Sequence, residues 1–90
     1  MKVDSGAKDV LVKKNRSLLA SGIIGYGGRF DVGDAVSIVD ENDREFARGI
    51  TYYSSSELSK IKGQKTKDIE KILGYKYYDE VVHRDNLVIL

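Results

Sequence analysis

The chain has 90 residues, no cysteine, one histidine and a formal net charge of +1. This length allows one domain with a thin core, and the composition excludes a disulfide scaffold, a thiolate metal site and a zinc centre built on histidine alone. The near-neutral charge provides no whole-molecule field for nucleic acid or anionic membrane, so any contact with a polyanion must be a local patch.

The N-terminal segment lacks the features of a targeting sequence. It turns polar by Asp4, without the apolar core of a signal peptide, and no apolar run in the chain approaches the ~20 residues of a membrane span. We therefore expect a cytoplasmic chain with no membrane contact and no bound metal.

A short strand and a helix are predicted first. Residues 2–3 favour the end of a strand, and Asp4 or Ser5 is the expected helix N-cap. Asn15 is typical of the left-handed residue that ends a helix. The apolar side of this helix is formed by Ala7, Val10 and Leu11.

Short apolar runs separated by glycines and acidic turns fill the block from Asn15 to Tyr53. Because glycine serves where strands bend, bulge or turn, this spacing is typical of a small β-barrel. We predict strands in the apolar stretch from Leu18 to Ile24 and around Phe30, separated by a Gly27-Gly28 turn. A β-hairpin follows, with strands 35–39 and 45–52 around a polar loop.

Two short helices are predicted after the hairpin. Ser54 and Glu57 have the spacing of a capping box, and Gly63 ends the helix that follows. Thr66 is the expected cap of the second helix, in which apolar residues recur at helical spacing until Gly74.

The C-terminal segment is predicted to be strand-like. Val81-Val82 favours a strand, and Asp85-Asn86 is typical of a turn before the apolar residues 87–90. Because an apolar terminus is rarely left in water, we expect these last residues to pair with the opening strand or its neighbour.

No catalytic constellation is recognisable in the sequence. His83-Arg84-Asp85 matches the catalytic-loop triplet of protein kinases, but no GxGxxG or GK[ST] phosphate loop accompanies it. The structural interpretation is that Asp85 and Asn86 shape a turn while His83 or Arg84 bonds neighbouring carbonyls. We therefore predict no catalytic residue in this chain.

A basic cluster at the end of the first helix is the main candidate site. Lys13, Lys14 and Arg16 fall within four residues and are followed by Ser17. The phosphates of a structured RNA are the candidate ligand, bound weakly and in a salt-dependent way. The alternative is that these cations only stabilise the helix C-terminus, by about 0.3–1 kcal/mol each.

Three tyrosines near the C-terminus, Tyr75, Tyr77 and Tyr78, allow two interpretations. Tyrosine stacks on bases in single-strand binders, and it also packs in cores and interfaces. Packing in a core or an interface is the favoured interpretation.

Six short motifs occur together in one known family. They are Val3–Ala7, Arg16–Leu19 with Gly22-Ile23, Gly33-Asp34, Ala47–Gly49 with Tyr52, Leu73–Tyr75, and Val82–Leu87. In this order, and over nearly the whole chain, they resemble the C-terminal PUA domain of the bacterial glutamate 5-kinase family. Asn15 and Ala20 depart from the pattern, since the family often has glycine and proline there.

The resemblance implies a single PUA domain over residues 1–90, mainly β with small helices, folded as a pseudo-barrel of about six strands. It also implies an amino-acid-kinase domain upstream in the same polypeptide. That domain would hold ATP and Mg²⁺ and phosphorylate glutamate in proline biosynthesis, in an oligomeric full-length protein, and the present chain would bind no cofactor of its own.

The resemblance also implies a role for the basic cluster. Other PUA domains bind structured RNA through the first helix, the turn after it and the following strand, and Lys13, Lys14, Arg16 and Ser17 match that surface by position. The implied role is a regulatory or RNA-binding accessory module of the kinase. The alternative is a free-standing RNA-binding PUA protein.

Overall fold

A computed structural model describes all 90 residues, which form a five-stranded mixed sheet and three short α-helices. The elements are β1 (Lys2–Val3), α1 (Ser5–Lys14), β2 (Ile23–Gly25), β3 (Ala35–Val39), β4 (Glu45–Thr51), α2 (Ser55–Ile61), α3 (Ile69–Leu73) and β5 (Val82–Ile89). Single 3₁₀ turns, Ala20–Gly22 and Thr66–Asp68, precede β2 and α3.

The strands lie in the order β2-β1-β3-β4-β5, with only β1 and β3 parallel. The predicted class, mainly β with small helices, is confirmed. The expected six strands are five, and the sheet is not closed, because β2 and β5 remain at its two edges.

The missing strand is the one predicted around Phe30. Its backbone groups bond to the start of α2 instead of to a neighbouring strand: the Phe30 N–H donates to Ser55 Oγ, and the Ser55 N–H donates to the Phe30 carbonyl. A segment whose polar backbone groups are satisfied in this way needs no ladder partner. Residues 26–34 therefore form an irregular loop between β2 and β3.

The β3–β4 hairpin is confirmed, and Asp40 organises its loop. Its carboxylate accepts hydrogen bonds from the N–H groups of Asn42 and Arg44 at 2.9 and 3.0 Å, and from Lys8 Nζ of α1 at 2.9 Å. The Lys8 bond is the main cause that lowers the pKa of Asp40 to about 2. The loop is thereby tied to α1.

The C-terminal strand differs from expectation in two ways. Asp85-Asn86 makes no turn, because β5 is continuous. The pairing with β4 is irregular here: between the pairs Thr51–Val82 and Gly49–Leu87, β4 has one residue and β5 has four. The turn-forming residues thus produce a wide bulge. In addition, β5 pairs with β4 instead of with β1 or its neighbours, and the terminal Leu90 is 65% exposed.

Helix ends follow local side-chain chemistry. Asp4 caps α1 by accepting from the Ala7 N–H at 2.7 Å, and Asn15 ends it with φ of 50°. The capping box of α2 is present in both directions. Thr66 does not cap α3, because it lies inside the 3₁₀ turn that precedes that helix.

The core draws on every strand and helix of the chain. Fifteen buried apolar residues form one cluster, whose largest members are Tyr53, Leu11, Leu18, Ile23, Ile38, Leu58, Ile61 and Ile69. No helix has both the length and the apolar character needed to cross a membrane.

Candidate nucleic-acid interface

An open cleft of about 670 Å³ lies between α1, the chain that follows it and the start of β5. Its polar lining includes Lys14, Arg16, Ser17, Glu80, His83 and Arg84. Three of the four residues of the predicted basic cluster are therefore brought together in one place. Lys13 does not line the cleft, and its Nζ lies 3.9 Å from the Asp9 carboxylate on the exposed side of α1.

The reversal after α1 builds one wall of the cleft. The left-handed Asn15 and the bond from the Arg16 N–H to the Val10 carbonyl turn the chain back toward the sheet. Leu18 then pairs with Val82, its N–H donating to the Val82 carbonyl at 2.9 Å. Arg16 and Ser17 are thus held between a helix end and a strand edge.

Ser17 connects the two walls. Its Oγ accepts a hydrogen bond from the Arg84 N–H at 2.9 Å, across 67 residues of sequence. A hydroxyl that accepts in this way keeps its own O–H as a donor, which is the group that a phosphate oxygen requires.

Arg84 and His83 are the functional candidates that sequence reasoning missed. Both residues belong to β5, and His83 Nδ1 accepts from the Asp85 N–H at 3.1 Å instead of bonding a carbonyl. Only the pairing of Leu18 with β5 brings these residues to the cleft. A contact between such distant segments leaves no signal in local sequence patterns.

The electrostatics of the cleft are weakly cationic. Lys14, Arg16 and Arg84 are exposed and have no carboxylate within 4.0 Å. Two carboxylates also line the cleft, those of Asp4 and Glu80, and the Asp4 carboxylate is engaged by the first turn of α1. Three cations therefore face two acidic groups.

The floor of the cleft depends on close packing at Gly22. A Cβ at this position would lie 2.6 Å from Ala7 Cβ, well inside van der Waals contact. Glycine lets α1 approach the Ala20–Gly22 turn closely enough for both to line one cleft.

The three C-terminal tyrosines lie outside the cleft and remain 41–53% exposed. Tyr77 stacks between Tyr53 and Tyr75, at ring-centroid distances of 5.5 and 5.1 Å, and Tyr78 packs on Tyr52 at 4.2 Å. Tyr75 donates its hydroxyl to the Glu57 carboxylate, which raises the pKa of Tyr75 to about 12. They form a surface aromatic cluster.

The chain contains no group of three or more His, Asp or Glu side chains that could hold a metal ion.

The family model of the PUA domain matches residues 1–73, and the chain belongs to this family. A PUA domain from Aeropyrum pernix K1, solved as a tartrate complex, has the same fold, with a TM-score of 0.62 and 24% identity over 91% of this chain and 39% of that one.

The chain is also similar to glutamate 5-kinases. It is 64% identical to the enzyme of Caldanaerobacter subterraneus subsp. tengcongensis over 88 residues, and 57% identical to that of a Geobacter species over the same length. The identity to the Moorella thermoacetica enzyme is 51% over all 90 residues. The alignments cover 98–100% of this chain but only 24% of each relative.

Proposed function

We propose that the chain is the PUA module of a glutamate 5-kinase polypeptide, in which it acts as a non-catalytic accessory domain. The observation that carries this proposal is the 64% identity over 98% of the chain, since the PUA fold by itself is compatible with many proteins. The amino-acid-kinase domain of the same polypeptide transfers a phosphoryl group from ATP to the side-chain carboxylate of glutamate, the first step of proline biosynthesis.

In this proposal, ATP and Mg²⁺ are held entirely by the kinase domain, and the full-length protein is a cytoplasmic oligomer. The module tunes the kinase by changing its assembly, its Mg²⁺ dependence or its feedback inhibition by proline.

The test compares the full-length enzyme with a form truncated immediately before residue 1. Both should phosphorylate glutamate, because no residue of the module belongs to the active site. The proline concentration for half-inhibition, or the Mg²⁺ requirement, should differ between them by several-fold. Identical proline, Mg²⁺ and assembly behaviour would contradict a regulatory role, and phosphorylation by the 90-residue chain alone would contradict a non-catalytic one.

A second candidate function is weak binding of structured RNA in the cleft. The specific observation in its favour is that Lys14, Arg16 and Arg84 are exposed without acidic partners beside a Ser17 hydroxyl that is free to donate. Three phosphate contacts supply little affinity by themselves, and this affinity falls as salt rises, with a slope of log K against log salt of about −2 for single-stranded segments.

An amide-resonance titration of the 90-residue chain with a structured RNA at low salt tests this second candidate. Resonances of residues 14–18 and 83–84 should shift, and the double variant Lys14→Ala, Arg16→Ala should weaken binding by at least tenfold. The single variants Lys14→Ala and Lys13→Ala form a matched pair, because each removes one positive charge from the same helix end and only Lys14 lines the cleft. Unshifted cleft resonances at low salt would exclude RNA binding there.

A further inference from the structure

A second group of cationic side chains lies in the segment from residue 60 to residue 71, which is distant in sequence from the basic cluster at the end of α1. Its lysines, which we call the lysine surface, are Lys60, Lys62, Lys65, Lys67 and Lys71. Together with Asp68 and Glu70 they leave this segment an excess of three positive charges. The whole chain has a net charge of +1, so the remaining residues carry an excess of two negative charges.

The apolar side chains of this segment pack into the core, and its lysine side chains lie at the surface. Ile61 and Ile69 of the segment, and Leu58 just before it, have no exposed surface, whereas all five lysines are exposed. The turn between the two helices is fixed by a hydrogen bond from the Gly63 N–H to the Ala20 carbonyl at 2.8 Å. The lysines are therefore displayed on an anchored scaffold.

The lysine surface is also free of internal ion pairs. None of its five ammonium groups has a carboxylate within 4.0 Å, while Lys2, Lys8 and Lys76 are paired with aspartates at 2.8–3.0 Å. In those three ion pairs the charge of the lysine is balanced by a carboxylate of the same chain. Here the positive charge is left available to an external partner.

The chemistry of the surface favours a phosphate backbone over a protein or a lipid surface. Protein interfaces are depleted of lysine and enriched in aromatic residues and arginine, which this surface lacks. Helices that lie in a membrane present several large apolar side chains to it, but here Leu58 and Ile61 are buried in the core and α2 and α3 expose one such side chain, that of Ile72. Lysine is a compact point charge, which suits the regularly spaced charges of a nucleic-acid backbone.

We propose that the lysine surface binds the phosphate backbone of an RNA strand, as a second contact outside the cleft. The inference rests on the proposed RNA binding and extends it to residues that do not line the cleft. The Gly63–Ala20 bond joins the lysine surface to the Ala20–Gly22 turn, whose Ser21 and Gly22 do line the cleft. In this proposal the strand leaves the cleft over this turn and continues along the lysine surface.

The test measures the salt dependence of binding to a fluorescent oligouridine by anisotropy. The variant carries Lys60→Gln, Lys65→Gln and Lys67→Gln. The slope of log K against log salt should become less steep by about 2, because each phosphate contact on a single strand contributes about 0.7. The matched control carries Lys2→Gln, Arg29→Gln and Lys76→Gln, which remove the same charge elsewhere and should change the slope little. Thermal melting by circular dichroism verifies that both variants are folded.

An equal slope for the lysine variant and the control would overturn the proposal. So would tighter binding to a labelled polyglutamate peptide than to the oligouridine, which would assign the surface to an acidic protein. The cleft variant Lys14→Ala, Arg16→Ala is measured in parallel. If only the cleft variant weakens binding, the strand does not contact the lysine surface and the proposal is overturned. If only the lysine variant weakens binding, the lysine surface holds the strand without the cleft, and the titration with structured RNA alone tests the cleft.

Discussion

Replacement of Gly22 by alanine tests how α1 is packed against the turn that lines the cleft. The new Cβ would lie 2.6 Å from Ala7 Cβ, whereas carbon atoms pack at about 3.5–4.0 Å, so α1 and the turn must separate by about 0.9 Å or more. The helix cannot move freely, because Leu11 is buried and Lys8 is bonded to Asp40. Forcing a methyl group into such a site costs about 1–3 kcal/mol.

The expected effect is a loss of about 2 kcal/mol in the free energy of unfolding. For a domain of this size each kcal/mol corresponds to about 4–8 °C in Tm, so the loss corresponds to about 8–16 °C. Urea and thermal denaturation both measure it. Gly27→Ala is the matched control, because its Cβ would meet nothing within 4 Å.

A second substitution isolates the contact itself. Ala7→Gly alone should cost about 0.8–1 kcal/mol in helix propensity. In the Gly22→Ala background it should cost less or even stabilise, because it removes the atom that clashes, which gives a coupling energy of about 1 kcal/mol or more. Additive effects of the two substitutions, or a Gly22→Ala chain as stable as Gly27→Ala, would refute the reasoning.

Three further predictions concern the capping box of α2, the left-handed Gly74 and the Asp40 carboxylate. Ser54→Ala removes the acceptor of the Glu57 N–H and should cost about 1 kcal/mol in urea denaturation, and no loss would show that the capping box is dispensable. Gly74→Ala places a Cβ in open space at φ of 84°, so its loss of about 1–2 kcal/mol comes from backbone conformation alone; unchanged stability would contradict that. Asp40 has a folded pKa of about 2, below its unfolded value of about 3.9, so its stabilisation is present above pH 4 and lost as pH falls toward 2. Asp40→Asn should therefore flatten the decline of Tm between pH 4 and pH 2, and an unchanged decline would show that another group causes it.

Sequence patterns predicted most of the elements whose causes are local. The Asp4 cap, the left-handed Asn15 and the hairpin after Ala35 each depend on residues within a few positions of one another. Their physical signals are therefore contiguous in the sequence. The same holds for the capping box of α2.

The wrong predictions concern residues whose structure depends on contacts with distant segments of the chain. Phe30 is an aromatic residue with a high propensity for strands, but its backbone N–H and C=O groups bond to Ser55 at the start of α2. Asp85 has the character of a turn residue, but pairing with β4 keeps the strand continuous through a bulge. The predicted partner of β5 is wrong for a related reason, since strand order depends on packing of the whole sheet.

The candidate site shows the same division. Lys14, Arg16 and Ser17 were predicted because they are adjacent at a helix end, while Arg84 reaches them only through tertiary pairing. Lys13 was grouped with them because sequence proximity does not show that its side chain lies outside the cleft, near Asp9. Proximity along the chain predicted the basic cluster, whereas the fold determines which of its residues line the cleft.

The length of the polypeptide made from the native gene tests the central claim most directly. Antibodies against residues 1–90, followed by mass spectrometry of the intact protein they capture, provide the measurement. Because the chain covers 24% of the glutamate 5-kinases it resembles, a polypeptide about four times its length is predicted, with a kinase domain before residue 1. A native product of only these 90 residues would contradict the account and would favour a free-standing PUA protein.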